Sequence, residues 1–202
     1  MTLTPGNTMK KFCLIAISLF TYLGMAQAAE APAFTLTDTN GNEHSLSDFE
    51  GKVVVLEWFN HGCPFVKKYY SKGNMQALQK TYTDKGVVWL AIVSSAEGKQ
   101  GYDSAEGHNK TAKEKGTNAT AILIDADGTV GKAYGAKTTP HMYVIDAEGQ
   151  LVYQGAIDDK RSTNTADIAT SKNYVSAALD SVLAGEAVEV TKSTPYGCGV
   201  KY

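Results

Sequence analysis

The chain predicts an α/β fold: a central mixed β-sheet flanked by helices and opened by an N-terminal β-hairpin. Two observations carry this. Short apolar runs of strand length alternate with stretches whose apolar residues recur every three or four positions, the signature of strands and helices taken in turn. Two of those runs, KVVVLEWF (Lys52 to Phe59) and GVVWLAIVSS (Gly86 to Ser95), are almost unbroken in apolar residues, as strands covered on both faces must be. The 202 residues, 43% of them apolar and 20% charged with a net charge of −2, suit one globular domain.

The first 28 residues stand apart. Lys10 and Lys11 precede an apolar run from Phe12 to Leu23, and Ala26 and Ala28 have the A-x-A spacing that a signal peptidase reads. We read residues 1–28 as a secretory signal peptide starting at Met9; the run is short of the roughly 20 apolar residues a spanning helix needs. The expectation is a periplasmic or secreted protein, free of the membrane once cleaved. Cleavage removes Cys13 and leaves Cys63 and Cys198 in a compartment where disulfides persist. It also removes Lys10 and Lys11 and no acid, leaving 17 basic against 21 acidic residues, so no basic patch invites nucleic acid.

FTLTDTNGNEHSLSDF alternates apolar and polar residues around Asn40-Gly41 and predicts the hairpin. KVVVLEWF should be a central strand. From Pro64 to Tyr82 the apolar spacing turns helical, interrupted at Ser71 to Asn74, where Gly73 sits. GVVWLAIVSS is the second buried strand, followed by a polar, Gly-rich loop with a short helix over Ala105 to Lys115. Two segments 21 residues apart, AILIDADGTV and MYVIDAEGQL, both run from an apolar strand through Ile-Asp into a Gly-containing turn. They lack the later glycine and terminal glutamate of a calcium loop. QLVYQGAID is a strand, DDKRSTNTADIAT a polar loop, and Ser171 to Leu183 a helix. The domain spans residues 29–188; residues 189–202, aperiodic and with Cys198 between two glycines, read as a flexible arm.

Strand, short loop, cysteine, proline, helix is the order around FNHGCPFVKK (Phe59 to Lys68), which puts Cys63 at a helix N-terminus with Pro64 in the first turn. Backbone N–H groups there favour a thiolate, and Lys67 and Lys68 add positive charge if they face it. The difference matters because an ordinary thiol with pKa about 8.5 is only about 3% ionised at pH 7, and one with pKa about 6 is about 90% ionised.

VVVLEWFNHGCPFVKK resembles the active-site segment of the thioredoxin superfamily, and TTPHMYVID resembles the strand that begins with its cis proline. The resemblance covers residues 31 to 185 and is nearest to exported redoxin or peroxiredoxin-like (AhpC/TSA-type) proteins. It implies a thioredoxin-like fold, Cys63 as nucleophile, Glu57 as the buried acid, and Thr139-Pro140 as the cis peptide facing Cys63. Two departures stand out. Val66 replaces the second cysteine of C-x-x-C, and Leu56 and Asn60 occupy the proline and Thr/Ser positions of the peroxiredoxin pattern P-x-x-x-T/S-x-x-C. Arg161, the chain's one arginine, does not match the one that holds peroxide.

Within the cleaved chain, the one redox partner left for Cys63 is Cys198. The expected function is a thiol-disulfide oxidoreductase or peroxiredoxin-like antioxidant enzyme in which Cys63 attacks and Cys198 resolves. A permanent staple is the alternative for the pair, worth roughly 5 kcal/mol for so long a loop. Glu57 either takes the thiol proton or pairs with Lys52 or Lys67, and Pro140 either docks extended polypeptide or is architectural. With no flavin, haem or nucleotide motif, no cofactor is expected; a protein thiol supplies electrons, and peroxide or a protein disulfide is the substrate. Two further readings remain open: a soft-metal site of Cys63, Cys198, His61 and His141 that takes copper, and a peptide-binding domain without turnover.

Overall fold

The computed structural model describes residues 1–2 and 29–202; the leader reading falls mostly on residues 3–28, outside the described residues. Ten strands form: β1 (Ala29–Glu30), β2 (Thr35–Asp38), β3 (Glu43–Ser45), β4 (Val54–Trp58), β5 (Val88–Val93), β6 (Ala121–Ile124), β7 (Thr138–Thr139), β8 (His141–Ile145), β9 (Gln150–Gly155) and β10 (Cys198–Gly199). The helices are α1 (Pro64–Tyr70), α2 (Asn74–Thr83), α3 (Ala105–Lys115), α4 (Thr129–Tyr134) and α5 (Tyr174–Leu183).

Eight strands make one mixed sheet in the order β1-β9-β8-β4-β5-β6-β2-β3, so KVVVLEWF is central as expected. β4, β5 and β6 run parallel, and β8 is antiparallel to β4 in a register that opposes Glu57 to Met142 and Trp58 to His141. Alternation along β4 then sends Val55 and Phe59 into a core beneath α1, α2 and α5 with Cys63, Val66, Trp89, Met142 and Leu179. Val54, Leu56 and Trp58 enter the opposite core with Leu90, Tyr143 and Tyr134 of α4. Each such large side chain, once fully buried, contributes roughly 1.5–3 kcal/mol.

The expected break in the first helix falls at Ser71 to Gly73, where Gly73 takes φ +77° as the N-cap of α2. The hairpin closes on Asp38, whose carboxylate accepts the Asn40 and Asn42 backbone N–H groups. The two Ile-Asp turns diverge. Asp146 accepts the Glu148 and Gln150 N–H groups and closes the β8–β9 hairpin, whereas Asp125 accepts the Val130 and Gly131 N–H groups and starts α4, a helix the sequence did not announce.

The C-terminal segment corrects the expectation of a flexible arm: it is docked along its length. Gln154 donates to the Thr191 carbonyl, Ser193 Oγ meets the Tyr153 hydroxyl at 2.7 Å, and Tyr196 is buried. Cys198 and Gly199 pair with Thr139 and Thr138 in a second, two-stranded sheet. Val200 donates to the Lys137 carbonyl, and the Tyr202 hydroxyl donates to the Ala136 carbonyl at 2.8 Å.

Candidate active site around Cys63

Cys63 is the N-cap of α1, with φ −75° and ψ 127°, and Pro64 follows in the first turn. The loop before it is shaped by Asn60: its Oδ1 accepts the Gly62 N–H at 2.7 Å, its carbonyl accepts the Cys63 N–H at 2.9 Å, and its Nδ2 donates to the Gln100 carbonyl at 3.0 Å. The Cys63 side chain points inward, 0% exposed, and its Sγ donates to the Thr139 carbonyl at 3.0 Å. Thr139-Pro140 is a cis peptide, as the resemblance implied.

Cys198 reaches this place through β10. Its register opposite Thr139, whose carbonyl takes the Cys63 thiol, brings it within electrostatic reach of Cys63, and both are free thiols. Gly197 makes the approach feasible: at φ +149° a Cβ there would lie 2.1 Å from the Thr139 carbonyl oxygen.

The two thiols are driven apart in acidity. Burial by itself would raise Cys63. The donors around it, the Cys198 thiol and N–H first, then the Val66 N–H and the Thr139 hydroxyl, outweigh that and hold Cys63 below the ordinary thiol value. The Thr139 hydroxyl is buried without a hydrogen-bond partner, so it is free to turn toward the sulfur when that is charged. Cys198 is pushed up to about 11, by burial first, then by its hydrogen bond to Cys63 and the charge there, with Lys201 partly offsetting. An attacking thiol with enhanced ionisation and a second one kept protonated beside it is the division of labour that disulfide exchange uses.

Glu57 is fully buried in β4, and its carboxylate accepts from Trp89 Nε1 at 2.8 Å, the Tyr70 hydroxyl at 2.9 Å and Gln79 Nε2 at 3.1 Å. Burial raises its pKa against the lowering effect of those three donors. The alternative pairing with Lys52 or Lys67 is thus corrected: among the described residues neither lysine forms an ion pair with it. Lys67 is exposed on α1 and is not among the groups that shift Cys63. Lys68 turns away from Cys63 and is fully buried, its Nζ 3.0 Å from Asp158 Oδ2 and 2.9 Å from the Lys160 carbonyl.

The histidines do not converge on the thiols. His61 packs edge-on against Phe59 and Tyr70 and lines a cleft of about 210 Å³ with Gly62, Tyr102 and His108. Its pKa falls to about 4, through burial and then the charges of Lys115 and His108, so it is neutral at pH 7. His141 lies in register with Trp58, on the opposite face of the sheet from Met142, and its Nδ1 accepts the Lys137 N–H at 3.3 Å. The Cys63, Cys198, His61, His141 set is therefore not assembled, and among the described residues no three His, Cys, Asp or Glu side chains gather as metal ligands.

Sequence reasoning missed the buried cluster beneath the tail. Tyr69 and Tyr196 both donate to Asp158, which also carries Lys68, and Tyr196 precedes Cys198 by two residues. One signal was available: Lys68 interrupts an otherwise apolar helix face between Val66, Tyr69 and Tyr70.

A sequence profile of the AhpC/TSA family matches residues 28–154. The chain is 31% identical over 128 residues to the thiol-disulfide oxidoreductase ResA of Bacillus subtilis, a match covering 63% of this chain and 66% of that protein, just under two thirds of its length. It is 29% identical to the thioredoxin-like protein YneN of Bacillus subtilis over 72% of this chain and 82% of that one. An uncharacterized conserved protein from Geobacillus kaustophilus superposes with a TM-score of 0.73 at 33% identity, covering 87% of this chain and 92% of that chain. The thioredoxin domain of a thiol-disulfide oxidoreductase from Bacteroides vulgatus, at TM-score 0.50 and 23% identity over 72% of this chain and 96% of that chain, shares the fold. With its thioredoxin-like sheet, its cis Thr139-Pro140 and its family profile over residues 28–154, the chain belongs to the AhpC/TSA family.

Proposed function

We propose that the protein is a thiol-disulfide oxidoreductase in which Cys63 attacks and Cys198 resolves. The observation that carries this is the pairing of β10 with β7, which delivers a second thiol to Cys63 from the far end of the chain. The similarity to ResA supports the same reaction class.

In the reductive direction, the Cys63 thiolate attacks one sulfur of a protein disulfide, forming a mixed disulfide and releasing the other sulfur as a thiolate that takes up a proton. Cys198 then loses its proton and attacks the Cys63 sulfur. The Cys63–Cys198 disulfide closes, the second substrate thiol departs, and two electrons have passed to the substrate. Once Cys63 is in a mixed disulfide, the charge and hydrogen bond that raise Cys198 are gone, so its acidity rises when it must react. A dithiol protein restores the reduced pair. Because Cys63 is buried under β10, the tail strand has to leave before a substrate strand reaches the edge of β7 beside Pro140.

Peroxide is the weaker substrate on this geometry. Asn60, at the peroxiredoxin Thr/Ser position, spends its side chain on Gly62 and Gln100, and Arg161 is exposed. Export to an oxidising compartment is part of the proposal and rests on the leader sequence.

The test is trapping. Cys198→Ser protein mixed with insulin, a disulfide-bearing substrate, should accumulate a covalent adduct on Cys63, and Cys63→Ser should form none. Full insulin-reducing turnover by Cys63→Ser would end the proposal. So would a reduction potential for the pair below about −300 mV, which marks a structural bond.

A further inference from the structure

Four buried polar side chains beneath the tail have no part in that chemistry as described. Lys68, Tyr69 and Asp158 are at most 2% exposed and Tyr196 is 5% exposed. A buried ion pair is weak evidence for stability, since an apolar replacement of similar volume is often neutral or better. Its placement is informative instead. Lys68 and Tyr69 sit on α1, whose N-cap is Cys63, and Tyr196 belongs to the segment that carries Cys198. The Asp158 carboxylate joins the two: Oδ2 takes Lys68 at 3.0 Å and the Tyr69 hydroxyl, and Oδ1 takes the Tyr196 hydroxyl. Lys68 Nζ also lies 3.4 Å from the Tyr196 oxygen, and the Tyr196 ring meets Phe65 of α1 edge-on at 5.7 Å between centroids.

Resting on the exchange function above, we propose that Tyr196 is a positioning residue: its hydroxyl, seated on the Lys68–Asp158 pair, latches the tail to the helix that carries Cys63 and fixes where Cys198 lies. The register leaves little slack. From Tyr196 the chain passes one residue, Gly197, held against the Thr139 carbonyl, before Cys198 pairs with Thr139. β10 itself is two residues long, and on its N-terminal side Tyr196 is the nearer side-chain anchor, with Ser193 on Tyr153 and Ala156 three residues further back. Asp158 is held below the usual carboxylate range, because the hydrogen bonds from Tyr196, Tyr69 and Lys68 outweigh its burial, so the acceptor is charged at neutral pH. Hydrogen bonds to a charged group are the stronger kind. Opening the latch withdraws Cys198 from Cys63 and uncovers the edge of β7; closing it returns the resolving thiol after substrate has bound.

The experiment is Tyr196→Phe in the full chain, which keeps the ring against Phe65 and removes the hydroxyl. Two readouts distinguish positioning from general support. Alkylation of Cys63 followed against pH should move to a higher midpoint, and closure of the Cys63–Cys198 disulfide from a Cys63 mixed disulfide should slow by about tenfold, the effect of losing a hydrogen bond to a charged group. Tyr82→Phe, which removes a hydroxyl bonded to Ser176 and Asp180 and to nothing in the tail, should change neither. In the wild type, the Val200 amide should be protected from hydrogen exchange, and in Tyr196→Phe it should exchange about tenfold faster. An unprotected wild-type Val200 amide, or an unchanged midpoint and closure rate in Tyr196→Phe, overturns the latch. A wild-type Cys63 that alkylates like an ordinary thiol overturns the exchange reading itself, so the two failures are separable.

Discussion

Gly197→Ala is the sharpest perturbation the site offers. The added Cβ would lie 2.1 Å from the Thr139 carbonyl oxygen and 2.7 Å from its carbon, at a backbone φ of +149° that side chains rarely adopt. Both obstructing atoms are backbone, so β10 has to move. Moving it removes the Cys198 thiol and N–H from Cys63, two of the four donors that lower its pKa. A hydrogen bond to a charged group is worth about 1.5–3 kcal/mol, and about 1.4 kcal/mol equals one pKa unit, so losing one by itself raises Cys63 by about one to two units. Relief of its burial offsets part of that, and the midpoint should rise toward the ordinary thiol value by less than that amount. The assay is mass-resolved alkylation of Cys63 between about pH 4 and pH 10. The midpoint, not the plateau, is the quantity to read, because displacing β10 also exposes the sulfur. Gly199→Ala is the matched control two residues on, where a Cβ meets nothing within 4 Å, and it should leave the midpoint unchanged. An unmoved midpoint in Gly197→Ala, or equal shifts in both variants, would refute the reasoning.

Other outcomes follow from the same structure. Lys68→Met breaks a fully buried ion pair and should cost about 3–5 kcal/mol in urea unfolding; a loss below about 1 kcal/mol would mean Asp158 is satisfied without it. Glu57→Ala strands the Trp89, Tyr70 and Gln79 donors, and should cost at least about 1–3 kcal/mol for each donor left unmet. His61 and His141 have folded pKa values of about 4 against 6.5 unfolded, so both favour the neutral form in the folded state. Their contribution to stability is complete above about pH 6.5 and is lost as pH falls from there toward 4, because the unfolded chain takes up the protons. Urea midpoints at pH 7 and pH 5 should differ in the wild type, and the difference should shrink in His61→Gln and in His141→Gln.

The elements legible in the sequence were those whose burial repeats within a few residues. β4 and β5 are buried at every position, and the α1–α2 break sits where Gly73 interrupts the spacing. α4 was missed because six residues with Gly131 in the middle send only Val130 and Tyr134 into the core as side chains, too few to establish a period. The site divides along the same line. Cys63 and Pro64 could be read because both are marked by local residue type and order, and the cis Thr139-Pro140 was implied by the thioredoxin-superfamily resemblance of TTPHMYVID. The docking of the tail could not: Tyr196 bonds Asp158 across 38 residues and Lys68 across 128, and a glycine-flanked segment without periodicity reads as mobile until its partners are placed. The resemblance implied that Glu57 is buried, yet its three donors come from β5, α1 and α2, and only the assembled fold brings them together.

The central claim is that a substrate disulfide leaves its oxidation on the Cys63–Cys198 pair. Peptide mapping of the full chain after one equivalent of a protein disulfide tests it directly. The account predicts a single cross-linked peptide joining Cys63 to Cys198, with the substrate recovered as its dithiol; both cysteines recovered separately and alkylated, with the substrate still oxidised, would contradict it.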